Sequence, residues 1–221
     1  IEPIAALCSR YGIALVEDAA ESLGSYVGDR HTGTFGLLGT LSFNGNKVIT
    51  TGGGGMLVTD DDGLADRARH LTTTAKLAHP WAFVHDEVGY NYRMPNLNAT
   101  LGVSQLARLP WMLEEKRKVA NRYRAFFGGL EGVRWHAALP GTTSNHWLNA
   151  IWLEDADARD AFLAYTNARG VMTRPTWRLM TELPMYRACW NDGVPNAEAA
   201  QSRVVNLPSS VPASAFEGGP Q

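Results

Sequence analysis

The chain has 221 residues, is 45% hydrophobic and 19% charged, and carries a formal net charge of −2, the make-up of an ordinary globular protein. That balance excludes a basic surface for nucleic acid or anionic membrane, and no apolar run is long enough for a membrane span or shaped like a signal peptide. Cys8 and Cys189, far apart and the only two cysteines, fit a reducing cytoplasm better than a disulfide scaffold and make no zinc site.

The sequence starts at Ile1, already in a helical pattern, and reads as a piece of a longer protein. Pro3 suits the first turn of that helix, Ile4, Leu7 and Cys8 share a face, and Gly12 suits its end. Ile13-Ala14-Leu15-Val16 reads as a short buried parallel strand, so the opening is half of an α/β unit. Glu17, Asp18 and Glu21 follow at the strand's carboxyl end, where open α/β sheets bind ligands. Solvated loop acids or helix caps are the plainer account of any one of them. Gly24 to Gly39 reads as irregular loop.

Leu41-Ser42-Phe43 is a further short strand, Asn44-Gly45 a tight turn, and Lys47 comes directly after it. Val48 to Thr51 and Met56 to Thr59 read as a hairpin joined by Gly52-Gly53-Gly54-Gly55. These glycines make no P-loop, because no Gly-Lys-Ser/Thr follows, and no GxGxxG fingerprint, because Leu57 stands in place of the third glycine.

One of Asp60, Asp61 and Asp62 can cap a helix running through Leu64, Ala68 and Leu71. From Thr72 to Arg93 the periodicity is lost, as in a functional or mobile loop, and its histidines lack metal-ligand spacing. Pro95 opens a helix with Leu97, Leu101 and Leu106 as its apolar positions. Pro110 opens a longer one, with Trp111, Leu113, Val119, Tyr123, Phe126 and Phe127 facing inward and Lys116, Arg117 and Lys118 solvated. After Gly128-Gly129 the pattern gives a strand at Trp147 to Leu153, a helix at Asp157 to Ala168, a strand at Gly170 to Thr173, a helix at Asn196 to Val204, and a disordered tail from Pro212. Residues 1–109 therefore read as part of an α/β domain and 110–221 as a smaller α+β domain.

Taken alone, Lys47 reads as a surface lysine. A lysine that condenses with pyridoxal phosphate needs an acid for the ring nitrogen, hydroxyls and amides for the phosphate, and surroundings that let the amine lose its proton. Asp18, Ser42 and burial of Lys47 can supply these. Glu17-Asp18-Ala19-Ala20-Glu21-Ser22-Leu23-Gly24, Gly33-Thr34-Phe35-Gly36 and Ser42-Phe43-Asn44-Gly45-Asn46-Lys47 with its glycines occur in this order. Together with Gly89-Tyr90-Asn91-Tyr92-Arg93-Met94-Pro95 and Gly102-Val103-Ser104-Gln105-Leu106, the pattern resembles the DegT/StrS-type sugar aminotransferases over nearly the whole chain.

The resemblance implies an α/β, fold-type I enzyme that uses pyridoxal 5'-phosphate on keto nucleotide sugars. Lys47 would be the covalent anchor and proton shuttle, and Asp18 would pair with the pyridine nitrogen. Ala20 would pack on the ring, Glu21 would lie near its phenolic oxygen, and Ser42 would bind the phosphate. Asn91 would reach the cofactor of a neighbouring subunit, so a homodimer is implied, and Arg93 is a candidate for an anionic substrate group. Relatives that dehydrate instead carry another residue at the lysine, so Lys47 speaks for transamination.

Ser42 to Met56, Ser144-Asn145-His146-Trp147-Leu148-Asn149, Thr173-Arg174-Pro175-Thr176-Trp177 and Asn206-Leu207-Pro208-Ser209-Ser210 are similar to the bacillosamine and legionaminic acid branch. Members of that branch move an amino group from glutamate to a UDP-linked 4-keto-6-deoxy-N-acetylhexosamine. Arg174 and Trp177 would then contact the nucleotide sugar, although a salt bridge and a core aromatic account for them equally well. Two features depart from the family: Leu37 follows Thr-Phe-Gly where a polar residue is common, and no phosphate loop or ring-stacking aromatic precedes Ile1. A non-catalytic fragment that binds nucleotide sugar or serves structurally is the alternative.

Overall fold

The computed structural model describes residues 1–217. In chain order the elements are α1 (Glu2–Arg10), β1 (Val16–Asp18), β2 (Tyr26–Val27), β3 (Arg30–His31), β4 (Leu38–Ser42), β5 (Gly55–Val58), α2 (Asp62–Thr72), α3 (Asn96–Ala107) and α4 (Leu109–Phe127). They continue with β6 (Val133–Trp135), β7 (Thr142–Thr143), β8 (Asn149–Leu153), α5 (Ala156–Ala168), β9 (Arg174–Pro175), α6 (Pro195–Arg203), β10 (Val204–Leu207) and α7 (Ala213–Phe216). Two compact units result, one of Ile1–Leu113 with Pro140–Asn145 and one of Glu114–Leu139 with residues 146 onward. The division lies a few residues beyond position 109, and the segment 140–145 returns to the first unit. Among the described residues no helix is long and apolar enough to cross a membrane.

In the first unit β1 pairs in parallel with β4, and β4 pairs antiparallel with β5. A second small sheet has the order β3-β2-β7. The apolar run Ile13 to Val16 is not a buried strand: pairing begins at Val16, and Ile13 and Val16 are 59% and 57% exposed. Among the described residues β1 pairs with β4 alone, and α1 buries none of its residues. Leu97, Leu101 and Leu106 of α3 are exposed as well.

The expected hairpin strand at Val48 to Thr51 is also absent, and β5 pairs with β4 instead. Residues 44–51 form a loop closed on Phe43, whose N–H donates to Gly54 O (2.9 Å) and whose carbonyl accepts from Thr51 N (3.0 Å). Burying Phe43 and Ile49 under this loop outweighs the strand propensity of Val48 and Ile49. Gly54 has φ +102°, a conformation glycine adopts without strain.

Asp61 caps α2, its side chain accepting from Leu64 N at 2.9 Å. The stretch 73–91 is tied back to this helix. Arg67 grips the Glu87 carboxylate, His70 Nε2 lies 2.7 Å from Asp86 Oδ1, and Thr73 bridges Asn91. The hydrogen bond from His70 lowers the pKa of Asp86, and Arg67 lowers that of Glu87.

The second unit is built on the antiparallel sheet β6-β8-β10-β9. Residues of β8 are alternately buried and half-buried, and Ile151 and Leu153 join Phe127, Val205 and Leu207 in its core. Phe126, by contrast, is 65% exposed. Asp155 caps α5 by accepting from Ala158 N (2.8 Å). The strand expected at Gly170 to Thr173 falls at Arg174–Pro175, because β9 takes its register from Val205 and Asn206. β10 carries no turn signal before it and has no counterpart among the sequence expectations. The tail expected to be disordered from Pro212 contains α7, and residues 218–221 lie outside the described residues.

Lys116 is not on a solvated face. It is 5% exposed, and its Nζ donates to Ser209 O at 2.6 Å. Ser209 Oγ in turn accepts from Asn149 N (2.7 Å), so the lysine closes a polar knot between α4 and the chain following β10. Burial pushes the amine down to about 8 from its ordinary 10.5. Below about pH 8 the amine is charged in both folded and unfolded states and the cost of burying it is fully present. Between about 8 and 10.5 only the unfolded state holds the proton, so stability rises with pH. Urea unfolding should show wild type gaining about 1 to 3 kcal/mol on the non-titrating Lys116→Gln variant between pH 8 and pH 10. A pH-independent gap would refute the burial cost.

Candidate active site

Glu17 and Asp18 show how a strand divides adjacent residues between two tasks, since successive side chains leave opposite faces. Glu17 is 8% exposed. Its carboxylate accepts from Gly33 N (2.7 Å), Gly36 N (2.7 Å) and Phe35 N, anchoring the loop that returns the chain to β4. That loop lies so close that a Cβ at Gly39 would stand 1.9 Å from Gly33 O. Asp18 is exposed on the other face. Its Oδ1 accepts from Ala20 N at 3.1 Å, and its second oxygen has no partner among the described residues.

Asp18 lies beside Thr40 in the parallel register, and Ser42 is two residues further along the same strand. Asp18 and Ser42 therefore share a face at the carboxyl ends of the two parallel strands. Ser42 Oγ accepts from Asn44 N (3.3 Å), which leaves its O–H to donate. The turn after it closes with Lys47 N donating to Asn44 O at 3.1 Å. This turn sets Lys47 at the head of the loop, with its side chain 12% exposed and its amine against the Glu21 carboxylate.

α3 braces the lysine loop. Gln105 Oε1 accepts from Thr50 N (3.1 Å), Asn98 Nδ2 donates to Thr51 O (2.6 Å), and a Cβ on Gly102 would meet Thr51 Cγ2 at 2.9 Å. The motif Gly102 to Leu106 thus has a packing role. Asn98 carries no sequence signal, and Asn145 stands in the sequence only within the Ser144–Asn149 similarity, because each bonds to residues far away along the chain.

The remaining expected site residues are placed as follows. Ala20 is half-buried beside Asp18. Asn91 and Arg93 are exposed in the first unit, Asn91 in its bridge to Thr73 and Arg93 without a hydrogen bond or ion pair among the described residues. Arg174 and Trp177 belong to the second unit. Arg174 NH1 donates to Asn167 Oδ1 (3.2 Å), and Trp177, 67% exposed, stacks on Trp147 at 6.1 Å between ring centres. Arg174 thus makes no salt bridge among the described residues, and Trp177 is no core aromatic.

The α/β framework, with a lysine set against a carboxylate beyond the carboxyl ends of β1 and β4, is that of a fold-type I aminotransferase, as its similarity to solved sugar aminotransferases shows. The chain belongs to the DegT/DnrJ/EryC1/StrS aminotransferase family, whose sequence profile matches residues 1–215. EpsN of Bacillus subtilis (strain 168) is 37% identical over 188 residues, 84% of this chain and 48% of EpsN. GDP-perosamine synthase of Vibrio cholerae is 36% identical over 212 residues, 95% of this chain and 57% of that enzyme. The crystal structure of the aminotransferase TlmJ from Streptoalloteichus hindustanus is similar at a TM-score of 0.89 and 33% identity, over 98% of this chain and 59% of TlmJ. The chain spans about half the length of the curated relatives it matches.

Membership of this aminotransferase family implies pyridoxal phosphate as the cofactor, and the residues present fit it. Asp18 keeps an uncommitted carboxylate oxygen, Ser42 keeps an uncommitted O–H, and Lys47 offers a largely shielded amine with an acid at its side.

Proposed function

We propose that the protein transfers an amino group from glutamate to the 4-keto carbon of a nucleotide sugar, UDP-4-keto-6-deoxy-N-acetylhexosamine, in cell-surface glycan or nonulosonic acid biosynthesis. The observation that supports this most is the contact of Lys47 with Glu21 beside the strand ends that carry Asp18 and Ser42. The nucleotide assignment rests on the sequence similarity at Ser144–Asn149 and Thr173–Trp177. GDP-perosamine synthase is a relative named for a different nucleotide, so UDP is the part of the proposal most open to test.

Bound pyridoxal phosphate supplies an electron sink for the carbon that gains or loses a proton. Lys47 would hold the cofactor through Nζ, and the same amine would carry a proton to and from the reacting carbon. Glu21 would orient the Lys47 amine that its carboxylate meets. Asp18 would face the pyridine nitrogen with its open oxygen, and the Ser42 hydroxyl would donate to the phosphate. Asn91 would serve the cofactor of the second subunit in a homodimer, Arg93 would take an anionic group of the substrate, and Arg174 and Trp177 would contact the nucleotide sugar.

The test supplies the full-length protein with glutamate and UDP-, GDP- or dTDP-linked 4-keto-6-deoxy sugars and follows aminated product by mass spectrometry. The UDP sugar is expected to show kcat/KM at least about 10-fold above the others. Faster turnover of a GDP or dTDP sugar overturns the nucleotide, and no amination of any of them overturns the reaction.

A further inference from the structure

Asn145 closes the segment 140–145 that returns to the first unit, and it is 4% exposed. Its Nδ2 donates to the main-chain oxygens of Glu21 (2.7 Å) and Leu23 (3.0 Å), and its N–H donates to Ser25 Oγ (3.0 Å). β7, just before it, pairs with Tyr26 and Val27. On the loop's other edge Gly24 N donates to His31 Nε2 (2.8 Å), and Thr32 Oγ1 donates to Ser22 Oγ (2.8 Å). The loop from Glu21 to Ser25 is therefore held on both sides, with a carboxamide on the main chain of the very residue whose side chain meets Lys47.

We propose that Asn145 is a positioning residue for the Lys47–Glu21 pair. The Glu21 side chain is 45% exposed, so its direction is set by its main chain more than by packing. Asn145 fixes that main chain. Two carbonyl oxygens are met by the two hydrogens of one nitrogen, which neither an aspartate nor an aliphatic side chain reproduces. The inference rests on Lys47 and Glu21 being the active-site groups of the proposed reaction.

The experiment compares the cofactor-loaded full-length protein with Asn145→Ala, Glu21→Gln and the double variant. Asn145→Ser, which keeps a single side-chain donor and no charge, replaces the alanine variant where that one does not fold. For Asn145→Ala, kcat is expected to fall roughly 10- to 100-fold, with the KM for glutamate within about threefold. The pH at which the visible absorption band changes should move in the same direction as in Glu21→Gln. The double variant should be no worse than Glu21→Gln alone, because both changes disable one device. Multiplicative losses in the double variant overturn the proposal, as does a lowered melting temperature with a wild-type pH profile of the band. An effect of Glu21→Gln that Asn145→Ala does not share overturns it alone. A Glu21→Gln protein with wild-type band and kcat overturns the site reading, and this inference with it.

Discussion

Lys47→Ala is expected to lower kcat for amino transfer by about 10³-fold or more, the scale of losing the group that moves the proton at the reacting carbon. Lys47→Arg should be equally inactive, since it keeps a cation beside Glu21 but has no amine able to condense with an aldehyde. Both variants should keep the wild-type melting temperature closely. The loop is held by main-chain bonds at Phe43 and by Asn98 and Gln105, none of which involves the Lys47 side chain. Borohydride reduction of the loaded wild type, followed by peptide mass spectrometry, should place the label on Lys47. A label on another lysine would end the assignment.

Glu17→Ala should have the largest effect on stability, a loss of about 3 kcal/mol or more, because the N–H groups of Gly33, Phe35 and Gly36 lose a buried charged acceptor together. Glu17→Gln should lose less, since its amide oxygen still accepts while its NH₂ faces a donor. Asp18→Ala makes the complementary test. Removing a single exposed hydrogen bond to Ala20 should change stability by no more than about 1 kcal/mol, yet the variant should bind or use pyridoxal phosphate poorly. Chemical denaturation of the two variants separates the roles. A Glu17→Ala protein within about 0.5 kcal/mol of wild type would mean that the loop finds other partners.

Several elements were legible because their signals are local. The aspartate cap and apolar spacing mark α2, Asp155 and the following periodicity mark α5, and Asn44-Gly45 marks the turn that presents Lys47. Errors arose where the deciding partner is distant. Val48 to Thr51 has strand-forming residues, but Phe43 and α3 claim its main chain. Lys116 sits in a basic triplet that reads as surface, and its burial is decided by Ser209, 93 residues later.

By itself, the sequence determined the family and the order of the chemical groups, because lysine, acids, hydroxyls and glycines occur there in the order that family shares. Tertiary structure alone decided which of two adjacent acids is buried on main-chain N–H groups and which stays exposed, and that Asn145 donates to the Glu21 carbonyl across 124 residues of chain. The physical reason is range. Turn chemistry and helical periodicity act over a few neighbouring residues, whereas burial and hydrogen-bond partnership depend on what the folded chain brings alongside.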